Sequence, residues 1–264
     1  MADGEFEGGT FDNSRVVSRA TGAIRANPVL YLVLSLVLAG APAFVTGWWQ
    51  FGVRSQVDPT NPYSAFAVYG TASFWQTFCM IWAVALIAGA VLQAALTRAT
   101  ATHLAGRKPS LVRCLETGLT MILPLIALSL IIGIGVGVGL VLLIVPGVIL
   151  WLLWSVAIPA CVQERIGVFA ALRRSIELTS GNRGNIFLII FATVIGLAIF
   201  GWIVRVTIGP MLGVATSQPM AALLESLLAM VNSVVILTIE ASIYVELRNV
   251  KEGVQPAELA SIFA

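Results

Sequence analysis

From Thr117 to Gln163 the chain runs for 47 residues without a single Asp, Glu, Lys or Arg. As one continuous helix that run would reach about 70 Å at 1.5 Å per residue, roughly twice the ~30 Å hydrocarbon core of a bilayer. It must therefore fold back on itself as two membrane spans. The turn belongs between Gly137 and Gly147, where glycines and Pro146 cluster. The remainder is of the same kind: 58% of the 264 residues are hydrophobic and only 11% are charged, against ~25% charged in an ordinary soluble domain. The expected fold class is all-α, a polytopic membrane protein with six transmembrane helices in three hairpins and short amphipathic helices on the cytoplasmic side.

Hydropathy places the other spans at about 28–51, 73–97, 185–206 and 221–246. Pro28 can open the first at its initial turn, where the missing N–H costs nothing. Gly40 with Pro42 are expected to kink it, and Trp48 and Trp49 to close it at headgroup level. Leu30 to Leu38 followed by Ala39, Gly40 and Ala41 could be read as a cleavable leader. Against that, Pro42 would follow the cut, Asp3, Glu5, Glu7 and Asp12 precede it, and apolar sequence continues to Phe51, so a retained span is expected. Residues 1–11, polar and acidic, are expected to be a disordered tail; 12–248 form the membrane domain, and 249–264 a cytoplasmic tail.

Three short amphipathic segments, near 12–26, 109–117 and 166–180, precede successive pairs of spans. In the first, Val16, Ala20 and Ile24 recur on one side while Arg15, Arg19 and Arg25 lie away from it, as in a helix that rests in the interface with its arginines near anionic headgroups. The alternative is a helix that packs on other cytoplasmic segments. In the second, Leu111, Leu115 and Leu119 share a side; in the third, Phe169, Leu172 and Ile176 do, with Gly181 as a C-terminal stop. CLETG at Cys114–Gly118 echoes SIELTSG at Ser175–Gly181, a weak internal repeat. With the N-terminus inside, 13 of the 15 Lys and Arg fall on the cytoplasmic side and only Arg54 and Arg205 outside. The positive-inside rule thus predicts both termini in the cytoplasm.

Several function classes are disfavoured. A net charge of +2 without a basic stripe argues against nucleic acid as a partner. Cys79, Cys114 and Cys161 have neither disulfide nor zinc spacing, and no cofactor or metal is expected. The run Gly133 to Gly139 does not match G-x-G-x-x-G and lies in an apolar segment; its pairs Gly133 with Gly137 and Gly135 with Gly139 read instead as places for close helix approach. There is no G-x-S-x-G, no H-E-x-x-H and no intramembrane aspartate, and the one histidine, His103, has no nucleophile placed beside it. An enzyme is not expected.

Pro146-Gly147, Pro159, Glu164, Gly167, Ala171-Leu172-Arg173-Arg174-Ser175, Leu178 and Gly181, with Tyr244-Val245-Glu246-Leu247-Arg248 after the last span, form a further pattern. It resembles the membrane domain attached to some bacterial glycerophosphodiester phosphodiesterases and its stand-alone six-span relatives. The resemblance implies a multi-pass protein of the bacterial inner membrane. It does not imply phosphodiesterase activity, which in that family belongs to a separate soluble barrel rich in histidines and metal-binding carboxylates.

Two groups of polar residues remain as candidate sites. Glu225, Asn232, Ile236 and Glu240 fall on one side of span six, and an ionised carboxylate at the depth of Glu240 requires a partner or water. The partners expected are Arg205 for Glu225, and one of Arg98, Arg113 or Arg173 for Glu240; a polar conduction path or a partner-helix contact is the alternative. Glu164, Arg173 and Arg174 lie on the cytoplasmic side, where they either staple short helices together or contact headgroups or a partner. The first functional expectation is a protein that binds or organises membrane lipid, envelope machinery, a membrane-protein partner or a second copy of itself. The second is a transporter or channel along span six.

Overall fold

The computed structural model describes residues 11–58, 60–61, 63–214 and 217–253. Among them every regular element is a helix. Six helical segments are long and apolar enough to cross a membrane: Pro28–Arg54, Ala72–Leu104, Ile122–Leu142, Ile144–Glu164, Arg183–Met211 and Gln218–Glu252. The protein is a multi-pass integral membrane protein. Only 17% to 39% of the most apolar window of each span is buried against protein, so most of their side-chain surface is left for acyl chains, as the bilayer requires.

The chain opens with α1 (Asn13–Ala26), capped by Asp12, whose carboxylate accepts from the Ser14 N–H at 2.8 Å. That hydrogen bond, with a second from the Ser14 hydroxyl, lowers the Asp12 carboxyl below its ordinary range. Phe11, assigned above to the tail, is buried in the core beside Val16 and Ala20; residues 1–10 lie outside the described residues. The first span is α2 (Pro28–Ser35) and α3 (Ala41–Arg54), joined through a π-helical turn at Leu36–Gly40. Pro42 has no N–H to give to the carbonyl four residues back, and the wider turn before it accommodates the missing bond. At the end of that turn the carbonyl of Gly40 accepts from the Ser226 hydroxyl of the sixth span at 2.8 Å.

A short helix, α4 (Ser64–Tyr69), interrupts the connection to span two, α5 (Ala72–Leu104), which extends seven residues beyond the expected Thr97. Next come α6 (Leu111–Thr120) and span three, α7 (Ile122–Leu142). Leu143 alone, in extended conformation, turns the chain into α8 (Ile144–Trp154), so the charge-free run folds back within the bracket expected. Here the glycines divide by face. A Cβ on Gly139 would stand 2.8 Å from the Gly147 Cα and one on Gly135 2.5 Å from the Trp154 ring, whereas one on Gly133 or Gly137 would meet nothing within 4 Å. Close approach therefore uses one of the two predicted glycine pairs.

Span four is completed by α9 (Ala157–Glu164) after a break at Ser155–Val156, and α10 (Val168–Thr179) lies across that break. Ser175 of α10 donates to the Leu153 carbonyl at 2.7 Å, and its oxygen accepts from the Val156 N–H at 3.3 Å. A buried side chain thus satisfies backbone groups that lipid could not. Gly181, at φ +85°, ends the turn after α10 as expected, and α11 (Arg183–Met211) and α12 (Gln218–Glu252) form spans five and six. The sixth span is the centre of the bundle, packing on spans one, two, four and five. Its closest neighbour is span one, where a Cβ on Gly47 would come 3.1 Å from the Ala222 Cα.

Of the predicted apolar stripes, that of α1 meets protein, whereas in α10 only Leu172 is buried and Phe169 and Ile176 are exposed, because the helix packs through Ala171, Ser175 and Leu178 instead. Val16, Ala20 and Ala23 of α1 are buried, with Ile24 at the margin. Cys114, Thr117 and Gly118 of α6 are buried against α5, where a Cβ on Gly118 would collide with Val91 at 2.7 Å. Leu111 and Leu119, two members of the predicted stripe of α6, are instead exposed.

Candidate functional site

Spans one, two and six form most of the wall of an open cavity of about 700 Å³, to which Ser129 of span three and Arg205 of span five also contribute, within the range of small-molecule sites. Its wall is mostly apolar: Leu38, Pro42 and Ala43 from span one, Trp82 and Leu86 from span two, and Leu228 and Ile236 from span six all line it. Polar groups are few and placed along its length. Arg205 and Glu225 stand at one end, Asn232 and Ser233 in the middle, and Gln93 at the other end.

The Arg205–Glu225 pair anticipated from sequence is bidentate, with Arg205 Nε 3.1 Å from Oε1 and Nη2 2.8 Å from Oε2 of Glu225. Both side chains are about half exposed at the end of the bundle, so the pair holds the ends of spans five and six together without paying the full desolvation of buried ions. Asn232 lines the cavity with its Oδ1 buried and accepting no hydrogen bond among the described residues. That oxygen is packed against protein, so it is the rest of the Asn232 side chain that borders the space.

Glu240 does not line the cavity. It lies one turn beyond Ile236, half-buried, where Gln93 Nε2 donates to its Oε2 at 3.4 Å. None of Arg98, Arg113 or Arg173, the cations expected beside it, forms an ion pair with it among the described residues. The reason is positional: span two presents Gln93 at that level, and Arg98 lies more than a helical turn further along. Gln93 is therefore a missed member of the constellation. Its signal was an amide in the otherwise apolar run Ala88 to Leu96.

The second predicted group is only partly brought together. Arg174 Nε donates to Glu164 at 3.0 Å and 3.1 Å, the Tyr244 hydroxyl donates to Glu164 at 2.8 Å, and Arg174 also pairs with Glu252, which Arg248 holds at 2.8 Å. This is a staple between α9, α10 and the end of α12. Arg173 is not in it: 85% exposed, it pairs among the described residues with Glu177, one turn along the same helix, at 3.7 Å. Glu252 and Arg248 had been placed in or beside the C-terminal tail, and the continuation of α12 to Glu252 is what brings them in.

A further cluster was not foreseen. Glu246, whose side chain is 1% exposed, pairs with Arg19 and lies 3.4 Å from Arg15 Nε. Arg19 thus points into protein, Arg15 reaches the same carboxylate while staying half exposed, and α1 packs on α12, as the alternative reading of that helix had it. His103 is likewise structural, its Nδ1 3.4 Å from Asn27 Nδ2 at the junction of α1 and span one. Among the described residues no group of three or more His, Cys, Asp or Glu side chains could hold a metal ion. Comparison with protein-family models, with curated protein sequences and with solved structures finds no match to this chain.

Proposed function

We propose that the protein is a non-enzymatic component of the bacterial inner membrane, both termini cytoplasmic, that holds a lipid-like amphipathic molecule in the cavity between spans one, two and six. The observation that carries this reading is the cavity itself: apolar along most of its wall, with the polar residues Asn232 and Ser233 midway and an ion pair at one end. An acyl chain suits such a wall, and a polar end group suits Asn232 or the Arg205–Glu225 pair. The earlier emphasis on the cytoplasmic arginines receives less support, since Arg174, Arg15 and Arg19 are engaged within the fold and Arg173 alone of the predicted pair is fully presented.

The test is native mass spectrometry after extraction with minimal delipidation, on the wild type and on Ala43→Phe and Ala229→Phe, which fill the cavity from opposite walls. Co-purified lipid should fall by about tenfold in both variants. Undiminished lipid with normal thermal stability would overturn the proposal.

Transport is a second reading, favoured by Glu240, a carboxylate within a span that has an amide and no cation at hydrogen-bonding distance. Glu240→Gln should then abolish flux in liposomes at unchanged stability. Loss of stability with no flux in either protein would remove this reading and leave the binding proposal standing.

A further inference from the structure

A second cavity, of about 300 Å³, lies where span two ends and α6 begins, bounded by the loop between them and by Gln163 at the end of α9. Four cationic side chains line it, Arg98, Arg107, Lys108 and Arg113, together with the hydroxyl-bearing Thr102 and Ser110, and among the described residues no carboxylate does. Concentration of four positive charges around one hollow costs self-repulsion unless an anion is present. Elsewhere in this protein basic side chains are paired with carboxylates: Arg15 and Arg19 with Glu246, Arg174 with Glu164 and Glu252. Lys108 and Arg113 have no acidic partner within 4 Å among the described residues; Glu116, one turn along α6 from Arg113, forms no ion pair.

Three observations converge on the same chemistry. The first turn of α6 begins at Ser110, a cap residue whose side chain makes no capping hydrogen bond, so the N–H groups of that turn add to the positive field at the cavity wall. Gln163, half-buried, is fixed by donating to the Thr97 carbonyl at 3.1 Å, which holds α9 against the end of span two and closes the far side. Arg98, near the end of span two, and Arg113, in the first turn of α6, bring positive charge to the hollow from two different elements. The hollow is at the lower end of ligand-site volumes and has room for a headgroup-sized ion but not for an acyl chain. Hydroxyls, guanidinium forks and an ammonium around a small space are the donor set of phosphate recognition.

We infer that this cavity is a binding site for a phosphate group, carried either by an anionic phospholipid headgroup or by a small soluble phosphate ester. The site is separate from the intramembrane cavity and does not depend on what that cavity holds.

The test uses the full chain in two settings: nanodiscs, with native mass spectrometry reading retention of phosphatidylglycerol against phosphatidylcholine, and detergent, with equilibrium dialysis of radiolabelled inorganic phosphate and glycerol 3-phosphate. The variant is Lys108→Gln with Arg113→Gln, both side chains being exposed on their outer surface. Arg173→Gln removes a charge elsewhere, and Lys108→Arg with Arg113→Lys keeps the charge. The double Gln variant should weaken phosphate binding by about tenfold per cation removed, with the two controls within about twofold of wild type. Loss confined to phosphatidylglycerol identifies a headgroup site, and loss with the soluble probes identifies a free phosphate ester. The inference fails if no probe binds in preference to phosphatidylcholine or neutral glycerol, or if the double Gln variant at wild-type melting temperature binds as the wild type does. Should that variant not fold, equal binding by wild type at 0.05 M and 0.5 M salt would equally overturn it, because a cationic phosphate site must weaken as charges are screened.

Discussion

Removing Arg19 tests whether α1 is a structural part of the bundle or a helix that merely rests on the membrane. Glu246 is almost fully enclosed, Arg19 is 21% exposed, and Arg15, 3.4 Å away on the other side of the carboxylate, is half exposed. An enclosed carboxylate that loses its principal cation keeps its desolvation cost without compensation, typically 3–5 kcal/mol. Arg15 remains to offset part of it, so Arg19→Gln should cost about 3 kcal/mol. The reverse substitution is milder. Glu246→Gln leaves two arginines that are already partly exposed and can turn to water or headgroups, at about 1–2 kcal/mol. Once Glu246 is neutral, Arg19 has little left to compensate, so the double substitution should cost barely more than Glu246→Gln alone, a coupling of about 3 kcal/mol. Reversible unfolding in mixed micelles, followed by tryptophan fluorescence, measures all three, with the exposed Arg25→Gln as control. A cost for Arg19→Gln within about 0.5 kcal/mol, or strict additivity in the double variant, would refute the reasoning and return α1 to the membrane surface.

Other consequences can be checked in the same preparations. Arg174→Ala strips Glu164 of its two hydrogen bonds from the guanidinium and should cost about 2–3 kcal/mol, while Arg173→Ala, on an 85% exposed side chain, should fall within about 0.5 kcal/mol in the same unfolding assay. Gly139→Ala and Gly118→Ala force backbone or side-chain shifts at contacts of 2.8 Å and 2.7 Å, and each should cost about 1–3 kcal/mol. Gly133→Ala, facing open space, should be neutral or stabilising by up to about 1 kcal/mol through helix propensity. Burial pushes the Cys114 thiol from its ordinary 9.0 up to about 11. The folded state therefore favours the neutral thiol: its contribution is intact below pH 9 and is lost as pH rises through 11. Maleimide should accordingly leave Cys114 unmodified at pH 7.5 until the protein is unfolded, and Cys114→Ala should flatten the alkaline limb of the stability profile between pH 9 and 11.

How far the fold was legible follows from which forces leave a one-dimensional trace. Hydrophobic length does, and the charge-free run alone forced the reversal that Leu143 makes. Helix stops do as well: Gly181 was named as one and adopts a left-handed φ. Helix ends beyond the apolar window do not, because α5 continues to Leu104 and α12 to Glu252 on packing and local propensity that hydropathy ignores. That shortfall hid Arg248 and Glu252 from the staple around Arg174. Of the polar side of span six, Glu225, Asn232 and Ile236 do line one cavity, and Arg205 was rightly paired with Glu225. The partner of Glu240 was missed because depth was read from charge alone: a search for cations overlooks Gln93, whose amide serves the same carboxylate without a second buried charge.

The placement of the polar clusters also explains how a bundle with so little buried surface keeps its arrangement. Apolar helices gain nothing hydrophobic by leaving lipid for each other, so packing and polar contacts must decide which faces meet. Span three buries only 17% of its apolar window against protein, and it is held where Gly139 admits Gly147. Elsewhere the side chains that fix register sit at interruptions. Ser226 binds the Gly40 carbonyl at the end of the π-helical turn, and Ser175 serves both groups opened at Ser155–Val156. Each interruption is thus matched by one hydroxyl from another helix, and a slip of one residue would strand a carbonyl in an apolar medium. On this reasoning Ser175→Ala, which removes one methyl-sized group's worth of polarity and almost no volume, should destabilise the protein by about 2 kcal/mol or more, as an unsatisfied buried pair does. Ser175→Cys, a weak donor of similar size, should recover part of the loss. If Ser175→Ala instead melts with the wild type, the break in span four is held by packing alone, and the register argument loses its best-placed residue.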